Sequence, residues 1–525
     1  MQRHTVPYKA TGRFAPIVTD YLADAPALRA LHTHRPDRPG ILKAAAERRF
    51  TDAQRATLVD ALHRQYAGLE MGDAVRHNLE LLARPGTCTV TTGHQLCLFS
   101  GPLYVPFKIL NAVRLARELS TPERPIVPVF WMATEDHDLA EVDHAWVNGQ
   151  RVQWPATAGG AVGRMELKGI GPVLDALERA MAPAPLNDAL RSALHTAYAE
   201  GRTLAEATRR LVHQLFGAFG ILIIDGDDPE LKRAFVPIAE RELLEGITAQ
   251  VVQRANDQLA PTYAVQVNPR PLNLFHLAEG RRARIEREGD GFRVLDGGPS
   301  FTRSEVLAAL AERPQEFSPN VLLRPIYQCT VLPDVAYVGG GGEVAYWLQL
   351  RPLFEAFDVP MPAVVLRTSA GVLTTKQARH WSSLGIGLEY LFRPVEEVHA
   401  RIATLHSGVD TELTAEREQL ARVHADLRAR LIRVDPTLEK AALAQEHRAL
   451  RGLERLESKL LRAAKRRSQD LTGRADAVRA AFLPNGLQER RDNILPWLNT
   501  RPALLSELLE LLDPFDTQFS VLVEE

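Results

Sequence analysis

Two short apolar runs, each emptying into a cluster of polar residues, restrict this chain more than any other feature. Residues 88–92 stop at Gly93-His94-Gln95, and about forty residues later the run 126–131 ends in Glu135-Asp136-His137-Asp138. Between them, after Gly101-Pro102, the residues Leu103, Phe107, Leu110, Val113, Leu115 and Leu119 suit a helix largely buried against a sheet. Strand, helix, strand in that order is a βαβ unit. In an open parallel sheet ligands collect just beyond the carboxyl ends of the strands, so both polar clusters fall where a site belongs.

Size and charge narrow the classes further. At 525 residues the chain exceeds what one core usually organises, which predicts two or three lobes, and a hydrophobic fraction of 45% can fill them. A formal charge of −2 gives no broad electrostatic reason to hold nucleic acid or an anionic membrane, so neither is expected as a partner. A small anionic substrate would need local arginines. The cysteines Cys88, Cys97 and Cys329 form no CxxC pair, which fits a reducing compartment and leaves too few thiolates for a structural zinc; no zinc and no protein metal site are expected. No apolar run approaches the roughly 20 residues of a membrane span. The start, Met1-Gln2-Arg3-His4, lacks a signal-peptide core, so a cytoplasmic protein is expected.

The chain divides by composition. Residues 1–84 read as a helical segment packing on the core: Leu58, Leu62, Tyr66 and Leu69 recur at helical intervals after the cap candidates Thr51 and Asp52. Residues 85–150 carry the first part of the core. Residues 151–318 read as a connective insertion, interrupted by a core strand near 220–225 that runs into Asp227-Asp228-Pro229, where aspartate as cap and proline at the first helical position announce a helix. The core resumes over 319–393, with apolar runs at 335–338 and 363–366. Residues 394–475 turn to Ala, Leu, Glu and Arg, with Leu413, Leu420, Leu427 and Val434 seven apart and Ala449, Leu453, Leu456, Leu460 and Ala463 on a second seam. Asp435-Pro436 between the seams predicts an antiparallel helical hairpin. Residues 476–525 return to the core.

Each polar cluster has two readings. His94 and Gln95 ahead of Gly101 can face nucleotide phosphates, or His94 can satisfy a loop carbonyl. The loop is not a Walker A motif, since G-x-x-x-x-G-K-S/T is missing. Glu135, Asp136, His137 and Asp138 suit a general base, a ribose acceptor or magnesium ligands, or else a solvated acidic turn. Gly339-Gly340-Gly341-Gly342-Glu343, flanked by Tyr337, Tyr346 and Trp347, makes a pocket wall or a tight turn. Arg367, Ser369 and Lys376 can grip phosphate or carboxylate, though arginines at strand ends are commonly salt-bridged. The basic run 459–467 reads as a solvated face.

Taken in order, these strings resemble the bacillithiol-biosynthesis cysteine ligase family. The resemblance rests on Thr92-Gly93-His94-Gln95 with Ser100-Gly101-Pro102-Leu103-Tyr104, on Pro128-Val129-Phe130-Trp131 with Glu135-Asp136-His137-Asp138, and on Asp227-Asp228-Pro229-Glu230-Leu231. It continues through Ser318-Pro319-Asn320-Val321 with Leu323-Arg324-Pro325, Ala336-Tyr337-Val338-Gly339-Gly340 with Gly342-Glu343 and Ala345-Tyr346-Trp347, and Leu487-Gln488-Glu489-Arg490. Cys97 departs from the small residue expected there, and burial is its default role.

The resemblance implies an α/β fold: a Rossmann-like parallel-sheet core with an inserted connective α+β region and a C-terminal coiled-coil domain that makes a homodimer. It implies ATP-dependent addition of cysteine to the amine of glucosaminyl malate, with ATP and Mg2+ as cofactors and a cysteinyl adenylate on the way. By analogy with class I aminoacyl-tRNA synthetases, His94 would stabilise charge on the phosphates, and Arg367, Ser369 and Lys376 would stand where those enzymes carry a mobile lysine-serine loop. The catalytic residues expected are His94, Glu135, Asp136 and His137, and the nucleotide-binding ones Gly93, Gln95, Gly101, Arg367, Ser369 and Lys376. Asn320, Arg324, Tyr337, Gly339, Gly340, Glu343, Tyr346 and Trp347 are expected to bind substrate. Two other readings remain: a nucleotide-binding coiled-coil regulator or scaffold, or another amino-acid ligase on the same fold.

Overall fold

The computed structural model describes residues 1–157, 159–407 and 412–525; the insertion and the coiled coil expected above include positions 158 and 408–411, which lie outside the described residues. Its centre is a five-stranded sheet. In chain order the strands are β1 (Cys88–His94), β2 (Ile126–Met132), β3 (Leu222–Asp225), β4 (Asp334–Gly339) and β5 (Ala363–Leu366). All neighbours are parallel, and the spatial order is β5-β4-β1-β2-β3. The chain therefore builds outward from β1 in one direction through β3, then returns to the other side of β1 for β4 and β5. This is the doubly wound, Rossmann-like arrangement, and its strand order reverses between β1 and β4.

Burial on both faces explains the apolar text of these strands. The threonines of β1 are the exception, and their hydroxyls are all bonded: Thr89 and Thr91 donate to the Asp334 carboxylate at the start of β4, and Thr92 donates to the Val338 carbonyl. Those bonds pin β1 to β4 across the reversal. The helix Tyr104–Leu119 crosses from β1 to β2 with twelve of its sixteen residues buried, so its two buried polar side chains must find partners inside. Asn111 does so by donating to the Leu512 carbonyl at 3.1 Å and accepting from the Thr368 amide at 2.6 Å. Lys108 does so at the site described below.

A five-stranded antiparallel sheet, in the order Ser300–Phe301, Gly291–Val294, Arg281–Glu288, Leu274–Ala278, Phe317–Pro319, stands beside the carboxyl ends of the core strands. The sequence expectation of a helical start is corrected here: Gln2–Pro7 is a strand, antiparallel to Gln518–Val523, which in turn runs parallel to Ala370–Leu373. Its partner lies at the far end of the chain, where local periodicity cannot see it. Thr51 caps the helix Asp52–Gln65 with a full capping box, and Asp228 caps Pro229–Glu245.

Beyond the core, Thr414–Val434 and Glu439–Arg467 fold back on one another. Arg417 pairs with Glu457 and Arg428 with Glu446 at 3.6 Å, a descending register that makes the hairpin antiparallel. Asp435 accepts from the Thr437 amide at 2.9 Å, and Pro436 opens the short 3-10 turn between the helices. No residue of Thr414–Val434 is buried, and the apolar Val423, Leu427, Leu431, Val434 and Leu456 are exposed. No described helix is long and apolar enough to cross a membrane.

Candidate active site

The reversal of strand order between β1 and β4 parts the loops that follow them, and a cleft of about 940 Å³ opens there. Lys108 lies buried between two of the residues that line it. The ammonium, 1% exposed, donates to the Gly93 carbonyl at 2.5 Å and to the Glu343 carboxylate at 2.6 Å. Glu343 also accepts from the Gly340 amide at 2.8 Å and the Tyr337 hydroxyl at 2.5 Å. Burial alone would raise the Glu343 carboxyl, but Lys108 and these donors hold it at about 2, so it stays a carboxylate. One ion pair thus ties the end of β1 to the loop after β4.

His94 follows Gly93 into the cleft. Burial pushes its imidazole down to about 3, and the Lys108 and Arg367 cations push the same way, so the ring is neutral near pH 7. Its Nε2 lies 3.0 Å from the Tyr104 hydroxyl and 3.7 Å from the Cys97 sulfur. The tautomer in which Tyr104 donates to Nε2 carries the ring proton on Nδ1, where a ligand can accept it. Cys97 is buried, and burial pushes its thiol up to about 12; it packs rather than reacts.

The acidic cluster after β2 is held from two sides. Glu135 pairs with Lys232, a fully buried lysine that also donates to the Phe317 carbonyl at 2.8 Å. Burial raises the Glu135 carboxyl, against the pull of that ammonium. Asp136 accepts from the Gln95 amide, from Arg282 at 3.3 Å and from the His137 backbone N–H at 2.7 Å. Burial acts to raise it, but Arg282 and the Gln95 amide win and lower it, so Asp136, like Glu343, stays ionised in the cleft. Arg282 comes from the antiparallel sheet, stacked 4.0 Å over the Phe275 ring. It also donates to His137 Nδ1 at 2.9 Å; His137, expected to be catalytic, is exposed and does not line the cleft.

The opposite wall combines aromatic and cationic groups. Arg324 donates to the Tyr346 hydroxyl at 3.1 Å and to Gln328 at 2.7 Å, and its guanidinium lies 5.6 Å from the Tyr337 ring centre. Trp347 is fully buried, stacked 4.5 Å behind Tyr337, so it supports the wall without lining it. Asn320 lines the cleft, but its side chain is spent on the turn, accepting from the Leu322 and Leu323 amides at 3.0 and 3.2 Å. The glycines after β4 divide in role. A side chain at Gly339 would meet the Glu343 Cβ at 2.9 Å, whereas at Gly340, Gly341 and Gly342 no atom would lie within 3.4 Å. Packing explains the first, and the other three leave open room in the cleft.

Three of the expected nucleotide-binding residues are not in the cleft. Gly101 lies outside it; its φ of +68° and a Cβ position 2.9 Å from that of Cys97 make it a loop-shaping residue. Ser369 is buried, accepting from Arg367 at 3.1 Å while its amide donates to the Tyr8 hydroxyl at 3.1 Å. Lys376 is carried off, because the chain after Ser369 enters the strand Ala370–Leu373 and then the helix Thr375–Ser382, where Lys376 is exposed to solvent. The chain beyond β5 therefore enters a second sheet instead of forming a phosphate-gripping loop. Arg367 does line the cleft, paired with the buried Glu489.

Sequence reasoning missed Lys108, Lys232, Arg282 and Arg490. The first two had a readable signal, a lysine on the apolar face of a helix, since such a cation survives burial only beside a fixed anion. Arg282 had none, since it reaches the cleft from an element whose placement no local pattern states; Arg490 stood in the string Leu487-Gln488-Glu489-Arg490 that carries the resemblance but was given no role.

The matching family models are described as the N-terminal Rossmann-like domain of bacillithiol biosynthesis BshC, over residues 1–368, and its C-terminal coiled-coil domain, over 370–524. Curated relatives that carry the provisional name cysteine ligase BshC include one from Cytophaga hutchinsonii, 38% identical over 96% of this chain and 95% of its own length. Another, from Flavobacterium johnsoniae, is 37% identical over 99% of this chain and 100% of the relative. Among solved structures, one provisionally titled an arginyl-tRNA synthetase, from Campylobacter jejuni, is 10% identical, covers 89% of this chain and 99% of that one, and has a TM-score of 0.22, too low to carry an argument. With both halves matched and relatives spanning nearly the whole length, the chain belongs to the bacillithiol biosynthesis BshC family.

Proposed function

We propose that the protein is an ATP-dependent ligase that joins the carboxyl group of cysteine to the amine of glucosaminyl malate, forming bacillithiol in the cytoplasm. The observation that carries this reading is the convergence of Gly93-His94-Gln95, Glu135-Asp136, Asn320 with Arg324, and Gly340–Glu343 on one cleft at the reversal of strand order. A cysteine carboxylate oxygen attacks the α-phosphorus of ATP, pyrophosphate leaves, and the sugar amine then attacks the adenylate carbonyl, releasing AMP and a proton. In this scheme the neutral His94 donates Nδ1–H to a phosphate oxygen, and the side-chain-free Gly340–Gly342 let the nucleotide approach the backbone. Asp136 orients the incoming amine as a hydrogen-bond acceptor, and Arg324 faces the malate carboxylates.

Magnesium fits as an ion carried on the ATP phosphates, where it would neutralise charge during the transfer. Among the described residues no group of three His, Cys, Asp or Glu side chains is arranged to hold a metal, so the ion would arrive with the nucleotide, near the carboxylates Asp136 and Glu141 that line the cleft. The test is mass spectrometry of the reduced protein with cysteine, glucosaminyl malate and magnesium ATP. Bacillithiol with stoichiometric AMP is expected. ATP binding without any thiol product would sink the ligase reading in favour of a nucleotide-binding regulator.

A further inference from the structure

The segment after the helical hairpin is stitched to the core beside the cleft. Asn493 donates to the Phe99 and Gly101 carbonyls at 2.7 and 2.9 Å, the Asp492 carbonyl accepts from the Leu103 amide at 2.8 Å, and Gln488 accepts from the Val372 amide at 2.7 Å. In the middle stands Glu489. Its carboxylate, 0% exposed, takes both terminal nitrogens of Arg367 at 2.9 and 2.7 Å and the Ala370 amide at 2.9 Å. That fork leaves Nε unused. Arg367 Nε is buried with no hydrogen-bond partner, although its side chain is only 5% exposed. It lies 3.7 Å from the position a Cβ on Gly340 would take, beside a glycine that neither crowding nor a positive φ requires. Arg48, Arg55, Arg281 and Arg417 also carry a buried Nε without a partner among the described residues, but of these arginines only Arg367 lines the cleft, so a ligand seated there can supply the acceptor that a buried N–H ordinarily finds. Arg490, the next residue, lines the same cleft.

We propose that Glu489 is a positioning residue: it holds Arg367 so that the Nε–H donates to an anionic oxygen of a ligand seated against Gly340, with Arg490 adding charge from the same segment. The oxygen belongs to a nucleotide phosphate or to a substrate carboxylate. The proposal rests on the ligase reading for the identity of the ligands, and its test does not rest on turnover. It makes the hairpin's return segment part of the active site.

The experiment is calorimetric binding of ATP, cysteine and glucosaminyl malate, each alone, to the full-length protein and to Gly340→Ala, Arg490→Gln and Glu489→Gln. Gly340→Ala meets no clash, so it should melt like the wild type while a methyl group covers Nε, and it should weaken one of the three ligands at least tenfold. Arg490→Gln should weaken the same ligand. Loss confined to ATP assigns the oxygen to a phosphate, and loss confined to cysteine or the sugar assigns it to a carboxylate. Where turnover is measurable, Gly340→Ala should raise KM for that ligand more than it lowers kcat. Glu489→Gln, if folded, should lose the same ligand, and Glu489→Asp should regain part of it. Wild-type affinity for all three ligands in Gly340→Ala and Arg490→Gln would overturn the proposal, whatever Glu489→Gln does. Failure of the ligase reading would instead show as absent thiol product from wild-type protein.

Discussion

Asp136 and Glu135 are adjacent carboxylates with different fates, and the difference is set by what each one meets. Glu135 is locked on a buried lysine, while Asp136 is gripped by Arg282 and Gln95 at the edge of open space. Asp136→Asn keeps the shape and removes the charge, so turnover should fall by about 10²-fold or more, the usual scale for losing such a group. Its melting temperature should stay close to wild type; near-normal turnover would remove Asp136 from the mechanism. His94 gives a pH signature. Its folded value of about 3 lies below the ordinary 6.5, so the unfolded chain binds the extra proton between them, and stability falls as pH drops through that window. Glu343 adds the same direction only below its ordinary 4.5. Between pH 6.5 and 4.5, His94→Asn should therefore flatten the slope of unfolding free energy by up to about 1.4 kcal/mol per pH unit, measured by urea titration. An unchanged slope would mean the ring is protonated in the native protein.

At the scale of elements, the helical hairpin poses the clearest question, because a row of apolar side chains left largely open to solvent is an incomplete structure. Val423, Leu427, Leu431 and Val434 lie along one helix with exposures from 38% to 84%. Their spacing is that of a coiled-coil seam awaiting another helix, and a second copy of this chain is the proposed occupant. Sedimentation should show a dimer, and Leu427→Glu with Leu431→Glu should give a folded monomer. A wild-type monomer, or a dimer that survives deletion of 400–470, would count against the hairpin as the interface.

For the whole molecule, the two ends of the chain and the two matched halves are not separable pieces. The first strand pairs with the last across the full length of the chain, and Arg367, which closes the first half, has its ion-pair partner, Glu489, in the second. A buried charge without its partner costs about 3–5 kcal/mol, a large part of a domain's stability. Residues 1–368 expressed alone should therefore be insoluble or lack near-ultraviolet circular dichroism. A soluble fragment with a sharp thermal transition would show that the core closes without the return segment.

What the sequence determined by itself was whatever depends on neighbours within a turn or two. It shows the apolar runs that become β1, β2, β4 and β5, the buried helix between the first two, the caps at Thr51 and Asp228, the heptads, and the polar clusters at the strand ends. Each arises from side-chain periodicity and local backbone chemistry, which a few residues contain in full. The tertiary structure decided which strand lies beside which, and so placed the cleft at the β1–β4 reversal, where Lys108 meets Glu343 across 235 residues of chain. It also turned Ser369 and Lys376 away from the cleft, because the residues after β5 pair with the carboxyl-terminal strand instead of forming a loop. The first strand and the pairing of Arg367 with Glu489 were illegible for the same reason. A partner brought in from far along the chain is chosen by the packing of everything between, and no local pattern records it.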